Sequence, residues 1–241
     1  MKGMSATKNT RLVIFLFVLP LLFTTNAALG QTESNKFDFY LKGTLGSLFN
    51  KNAQQSQLDP KMTTCFGMHL TGKYSFSKLG VSAGIGADRL KFAQEVIFTD
   101  HADGREYSTV EFSYVGWGIP ILVHYSIADR FEVYGGVQLM AARWNSYGIS
   151  TLSKRTSELT AETDEDIPDW QFTQEVMAGV NYNVSERFGI GISIAKSLKN
   201  IDGMGLKMEV SVPDQDDIHI SEKFDYSWTR INLELAFRLN K

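Results

Sequence analysis

Few residues in this chain have the types and spacing that chemistry requires. Gly191-Ile192-Ser193-Ile194-Ala195 approaches the Gly-x-Ser-x-Gly pattern of a nucleophile elbow, which lifts its serine on a sharp strand-to-helix turn. Ser193 instead sits inside an alternating run, so that turn is missing. Gly84-Ile85-Gly86 and Gly116-Trp117-Gly118 lack the following helix whose N-terminus would hold a phosphate. Two histidines lie among acids, in Asp100-His101-Ala102-Asp103 and at His219 near Asp216 and Asp217. A general base needs an oriented partner and a nearby nucleophile, and neither is visible. Asp214-Gln215-Asp216-Asp217 and Asp164-Glu165-Asp166 are rich in carboxylates but do not have the ligand spacing of a calcium loop. The single Cys65 excludes an internal disulfide and a cysteine-based zinc site. No catalytic residue, metal or cofactor is assigned.

What recurs is a period of two, the mark of strands with one apolar and one polar face. Phe37, Phe39, Leu41 and Leu45 alternate with Asp38, Tyr40, Lys42 and Thr44; Phe66, Met68 and Leu70 alternate with Cys65, Gly67, His69, Thr71 and Lys73. Further runs centre on Val81–Asp88, Val115–Tyr125, Phe131–Leu139, Trp170–Tyr182, Phe188–Ala195 and Arg230–Leu239. Val110 to Tyr114 has the opposite parity to the run it precedes, so a bulge or an emergence from the membrane is expected there. Short turns at 77–80, 128–130 and 185–187 alternate with long polar connections near 50–61, 93–109, 146–169 and 199–226. Eight strands in that rhythm describe an all-β, antiparallel up-and-down barrel.

Residues 1–30 read as an export signal: Lys2, Lys8 and Arg11, then an apolar run from Leu12 to Phe23, then Ala28-Leu29-Gly30 as a small-x-small site. The run is too short to span a bilayer as a helix, and Gln31 stands where a lipoprotein would need cysteine. Mean hydropathy of −0.15 excludes a multi-span helical protein but not a barrel, whose strands dilute apolar residues with polar ones. Of the 24 Lys+Arg three fall in the leader, leaving 21 against 27 Asp+Glu and a net charge of −6. That balance argues against nucleic acid as a partner.

Alternation alone does not say which face meets lipid. Ten of the twenty glycines lie on the polar face, where a crowded lumen suits them better than an exposed strand does. Aromatics such as Phe37, Tyr74, Phe76, Tyr125, Phe131, Trp170, Tyr182 and Phe188 stand at the ends of the apolar stripes, as in interfacial girdles. The loops are acidic while the stripes between them carry no charge. The apolar face is therefore read as meeting lipid, with 31–241 forming a transmembrane barrel. Lys42, His69, Lys73, Asp88, Glu132, Glu175, Arg230, Glu234 and Arg238, together with His124, then share one narrow lumen and are expected to pair there.

Tyr114-Val-Gly-Trp-Gly-Ile-Pro-Ile-Leu-Val-His-Tyr125, followed after a short turn by Phe131-Glu-Val-Tyr-Gly-Gly136, resembles the Ile-Pro strand pair of small outer-membrane barrels of the porin-like or PorT-like domain family. Lys196-Ser-Leu-Lys-Asn-Ile201 resembles the stretch where the last long loop leaves such a barrel. In size and strand count the chain is similar to OmpA- and OmpX-type barrels. The resemblance implies an eight-stranded barrel in the outer membrane, termini in the periplasm, outer-membrane lipid around it and the barrel-assembly machinery as a partner during biogenesis. It names no extracellular partner. Where such barrels often finish on an aromatic residue, this one ends Phe237-Arg-Leu-Asn-Lys241. The functional reading is a structural or surface-binding barrel without catalysis and with a plugged lumen. A lipid-modifying enzyme of the acyltransferase or deacylase kind, a narrow pore, and an exported soluble barrel holding an apolar ligand are the alternatives.

Overall fold

The computed structural model describes residues 35–52, 58–101, 104–152, 158–163, 170–211 and 218–240. The leader expected at 1–30 lies outside them. Two units are distinguished, Met1–Lys36 and Phe37–Lys241, and the second is the barrel. Its ten strands are β1 (Asn35–Asn52), β2 (Leu58–Phe76), β3 (Leu79–His101), β4 (Gly104–Ala128), β5 (Phe131–Leu152), β6 (Glu158–Thr163), β7 (Gln171–Asn183), β8 (Phe188–Ser197), β9 (Ile201–Ser211) and β10 (Ile218–Arg238).

Eight of these, all but β6 and β9, close a barrel in which β10 returns to pair with β1 from Tyr40↔Arg238 to Asn52↔Tyr226. Closure leaves no strand edge to face hydrocarbon, where an unpaired N–H or C=O has no water to bond. β9 pairs with the loop-ward part of β10, and β6 pairs with β9, so this sheet extends past the barrel rim.

The tight connections lie at one end, here called the turn end. Phe76 pairs with Leu79 across Ser77 and Lys78, and Ser77 takes a left-handed φ of 55° to make that turn. Ala128 pairs with Phe131, and Ser185 Oγ accepts the backbone N–H of Phe188 at 3.0 Å. The C-terminus is tied to the start of β1 there: Asn240 Nδ2 donates to Phe37 O, and Phe39 N donates to Asn240 Oδ1, both at 2.8 Å. The long connections leave from the opposite, loop end.

Every run of alternating residues places its apolar side outward. Leu45, Met68, Ile85, Phe172, Ile192 and Leu233 are exposed, Phe172 to 72%, while Asp88, Glu175 and Arg230 are at most 1% exposed. A soluble barrel would have this distribution reversed, so the ligand-in alternative is overturned by the burial pattern. The eight-stranded transmembrane architecture stands. Much of the chain expected as polar connection is strand: β3 runs on to His101, β4 begins at Gly104 and β5 continues to Leu152. These extensions pair in register across β3–β4 and β4–β5. Beyond the membrane neither side of the sheet meets lipid, so the pairing continues without the alternation that betrays it in sequence.

Candidate functional site

The lumen is filled in tiers. At the turn end, Arg238 on β10 donates through Nη2 to Asp38 on β1, whose other oxygen lies 3.5 Å from Tyr40 Oη. Above it, Glu132 on β5 receives Lys73 Nζ from β2 and lies 2.7 Å from His124 Nδ1 on β4. His124 Nε2 is 2.7 Å from Ser82 Oγ on β3. A neutral imidazole satisfies both contacts when Nδ1–H donates to the carboxylate and Nε2 accepts the serine hydroxyl. Lys42 Nζ stands 5.1 Å from the centroid of Tyr134, a cation–π contact, and Tyr134 Oη donates to Glu234 Oε1 at 2.6 Å. A cavity of about 30 Å³ opens among Tyr40, Lys42, Lys73, His124 and Glu132. That is room for two or three waters at roughly 10–15 Å³ each, and too little for an organic substrate.

The central tier is the most fully connected. Arg230 on β10 donates from Nη1 to Asp88 Oδ1 at 2.9 Å and from Nη2 to Glu175 Oε2 at 2.6 Å. Gln138 on β5 donates to Asp88 Oδ2 at 2.7 Å while its carbonyl accepts from Arg230 at 3.3 Å. His69 Nε2 lies 3.1 Å from Asp88 Oδ1, and Trp228 Nε1 donates to Glu175 Oε1 at 2.6 Å. Arg230 on β10 thus ties β3, β5 and β7 together across the bore, and His69 joins β2 to the group through Asp88. The glycines make this possible. Gly67 pairs with Asp88 and Gly86 with His69, and a Cβ on either would run into the facing side chain of that network.

Loop-ward of Arg230 the filling changes character. Phe92 stacks on Tyr226 at 4.6 Å between centroids and meets Tyr114 and Trp228 edge-on at 5.6 and 5.7 Å. Phe112 lies 5.7 Å from Tyr226 and 5.9 Å from Trp144. Leu48, Leu90, Met140 and Ile201 are buried with these rings. Trp228 belongs to both tiers, its ring among the aromatics and its N–H on Glu175.

Each of the nine charged residues singled out in sequence faces the lumen, but they form separate groups. Asp88, Glu175, Arg230 and His69 meet in the centre; Lys73 and Glu132 meet through one contact; Arg238 pairs with Asp38. Lys42 and Glu234 both touch Tyr134 and have no ion-pair partner among the described residues. Sequence reasoning omitted Asp38, Tyr134, Gln138 and Trp228 from the set. Their inward parity was the available signal, since Trp228 precedes Arg230 by one full pleat. The aromatic tier was missed altogether. At Val110–Tyr114 β4 keeps unbroken register with β3, and the extra residue, Asn145, bulges from β5. The apparent change of parity arises because Phe112 and Tyr114, on the lumen side with Gly116 and Gly118, are aromatic.

Ser193 is buried mid-strand and accepts from Asn232 Nδ2 at 3.2 Å, so it makes no nucleophile elbow. Cys65 is buried with its thiol 3.4 Å from Asn232 Oδ1. His219 has a 72% exposed side chain 3.9 Å from Glu209 Oε1. The side chains of Asp100 and His101, and the acidic runs 164–166 and 214–217, lie outside the described residues.

The family model for the outer membrane protein beta-barrel domain matches residues 15–230. The chain belongs to that family. It is accordingly an outer-membrane barrel. No curated protein matches the chain significantly. Among solved structures, the outer membrane protein OprG from Pseudomonas aeruginosa is similar at 15% identity, covering 83% of this chain and 95% of that one with a TM-score of 0.41. Neisserial surface protein A is similar at 10% identity, 83% and 97% coverage and a TM-score of 0.42. The outer membrane protease OmpT from Escherichia coli is similar at 9% identity, 85% and 96% coverage and a TM-score of 0.35.

Proposed function

We propose that this outer-membrane barrel acts without catalysis, as a structural or surface-binding element whose lumen is plugged. The observation that carries the reading is the Arg230 clamp, with the guanidinium held between Asp88 and Glu175 at 1% exposure or less, directly beneath the aromatic tier. Opening a path for ions would break charge-assisted hydrogen bonds and leave unpaired charge in a low-dielectric bore, at a cost of several kcal/mol. The leader at 1–30 delivers the chain for export, and the outward-facing Phe237 and Leu239 present the C-terminal strand to the assembly machinery. The extensions of β3, β4 and β5, with β6 and β9, carry the acidic connections that a surface partner would meet.

Planar-bilayer recording of the refolded chain tests this. No stable conductance is expected, and steady steps above the tens-of-picosiemens range would replace the plug with the narrow-pore reading. The lipid-modifying alternative has its own test, in which lipid A mass is compared between cells with the intact chain and cells without it. Unchanged mass is expected, and a mass change abolished by His101→Ala or His219→Ala would establish catalysis.

A further inference from the structure

The outward face is apolar along its strands until the loop end, where Arg89 on β3 and Arg143 on β5 take the parity held lower down by Ile85 and Leu139. Arg89 and Arg143 are in register with Val115 from either side of β4. Two strand spacings of about 4.8 Å therefore separate them on one outer surface. Arg89 stands ten residues up β3 from Leu79 at the turn end. At about 3.3 Å per residue and roughly 40° of tilt, that is a rise of about 25 Å, the height of the apolar band of such barrels. The two guanidinium groups thus lie where the outer leaflet changes from acyl chain to headgroup.

The site is built rather than incidental. Arg89 Nε donates to Ser113 Oγ at 3.0 Å, which aims the guanidinium, and its terminal nitrogens have no partner among the described residues. Arg143 lies 6.0 Å over the ring of Trp170, and Trp117, 58% exposed, projects below Val115. Glu111, two full pleats loop-ward of Val115 on β4, is held by Lys91 at 2.8 Å. An arginine fork matches two phosphate oxygens, and tryptophan rings settle at the headgroup level.

We propose that Arg89 and Arg143, flanked by Trp117 and Trp170, bind the phosphorylated headgroup of an outer-leaflet lipid. The inference is independent of whether the lumen is plugged.

The test reconstitutes the full chain in phosphatidylcholine nanodiscs containing a few per cent of lipid A, or of the same lipid A stripped of its phosphates, and counts retained glycolipid by native mass spectrometry. Retention of the phosphorylated form is expected to exceed that of the dephosphorylated form at least about tenfold, as one or two charge-assisted contacts would give. Arg89→Gln with Arg143→Gln should abolish the preference, and Lys78→Gln with Arg130→Gln at the turn end should leave it intact. Equal retention of the two lipids, or an undiminished preference in the first double variant, would overturn the proposal. Displacement by millimolar inorganic phosphate would overturn it too, by marking a general anion site. Were the first double variant to misfold, judged by unshifted gel mobility on heating, the two-lipid comparison on the unaltered chain still decides.

Discussion

The two halves of the lumen occupy one barrel and obey the same inward parity, yet they are filled by opposite chemistries. Toward the turn end the bore holds ions: Asp38 with Arg238, Glu132 with Lys73, and Asp88 and Glu175 with Arg230. Toward the loop end it holds rings and aliphatic chains, with Phe92 at their centre. The charged half is directional, each member correct only while its partner is present, because an orphaned buried charge costs more than the pair contributes. The aromatic half depends on volume and contact, so its losses scale with what is removed. Trp228 joins the two by serving both.

The comparison is broken most directly at Arg230. Arg230→Met should lower unfolding free energy by about 3–5 kcal/mol, because Asp88 and Glu175 are left facing each other without a counter-charge. Adding Asp88→Asn and Glu175→Gln should restore more than half of that loss. Denaturant unfolding in detergent micelles, followed by tryptophan fluorescence, measures both. If the triple variant is no better than the single one, the charged half is not governed by pairing.

In the aromatic half, Phe92→Ala should cost about 3 kcal/mol, and Phe92→Leu less than about 1.5 kcal/mol because most of the volume remains. Similar losses from both would mean that ring geometry matters more than packing. Glu132→Gln tests a half-screened ion pair, since Lys73 and Glu132 retain 14% and 11% side-chain exposure. A loss of about 1–2 kcal/mol is expected, between the values for surface and buried pairs. Loss as large as that at Arg230 would erase the distinction between the tiers. The smallest effect lies outside the lumen. Ser77→Gly relieves a left-handed φ of 55° and should stabilise by about 0.5 kcal/mol, the difference between the left-handed penalty and glycine's extra chain entropy. The same melts would show it as a slightly raised midpoint, and a lowered one would mean that the turn carries no strain.

Legibility in sequence followed the membrane. Within the bilayer-spanning stretch, residues such as Leu45, Met68 and Ile192 had to be apolar and their neighbours Thr44, His69 and Ser193 did not, so parity could be read residue by residue. The same rule assigned Lys42, His69, Asp88, Glu175 and Arg230 to one side. It failed where the environment no longer differs between the faces. Phe92, Phe112 and Tyr226 are apolar residues that point inward, and in sequence they are indistinguishable from lipid-facing ones. β6 and β9, and the upper parts of β3, β4 and β5, have paired backbones without alternating side chains, so they read as loops. Arg89 and Arg143 were overlooked for the converse reason: they are charged, outward, and lie just past the ends of the stripes.

Sequence alone determined that this chain makes alternating strands, how many of them close the barrel, and which side of each meets lipid, because hydrocarbon and lumen impose opposite demands on successive residues. Which charges meet was decided only in the closed structure. Asp88, Glu175 and Arg230 are far apart in the chain, and the register and shear that bring three strands to one height arise from backbone pairing around the whole circumference. The aromatic tier was decided there as well: its rings keep the inward parity of their strands, but which rings meet across the bore depends on strands far apart in the chain.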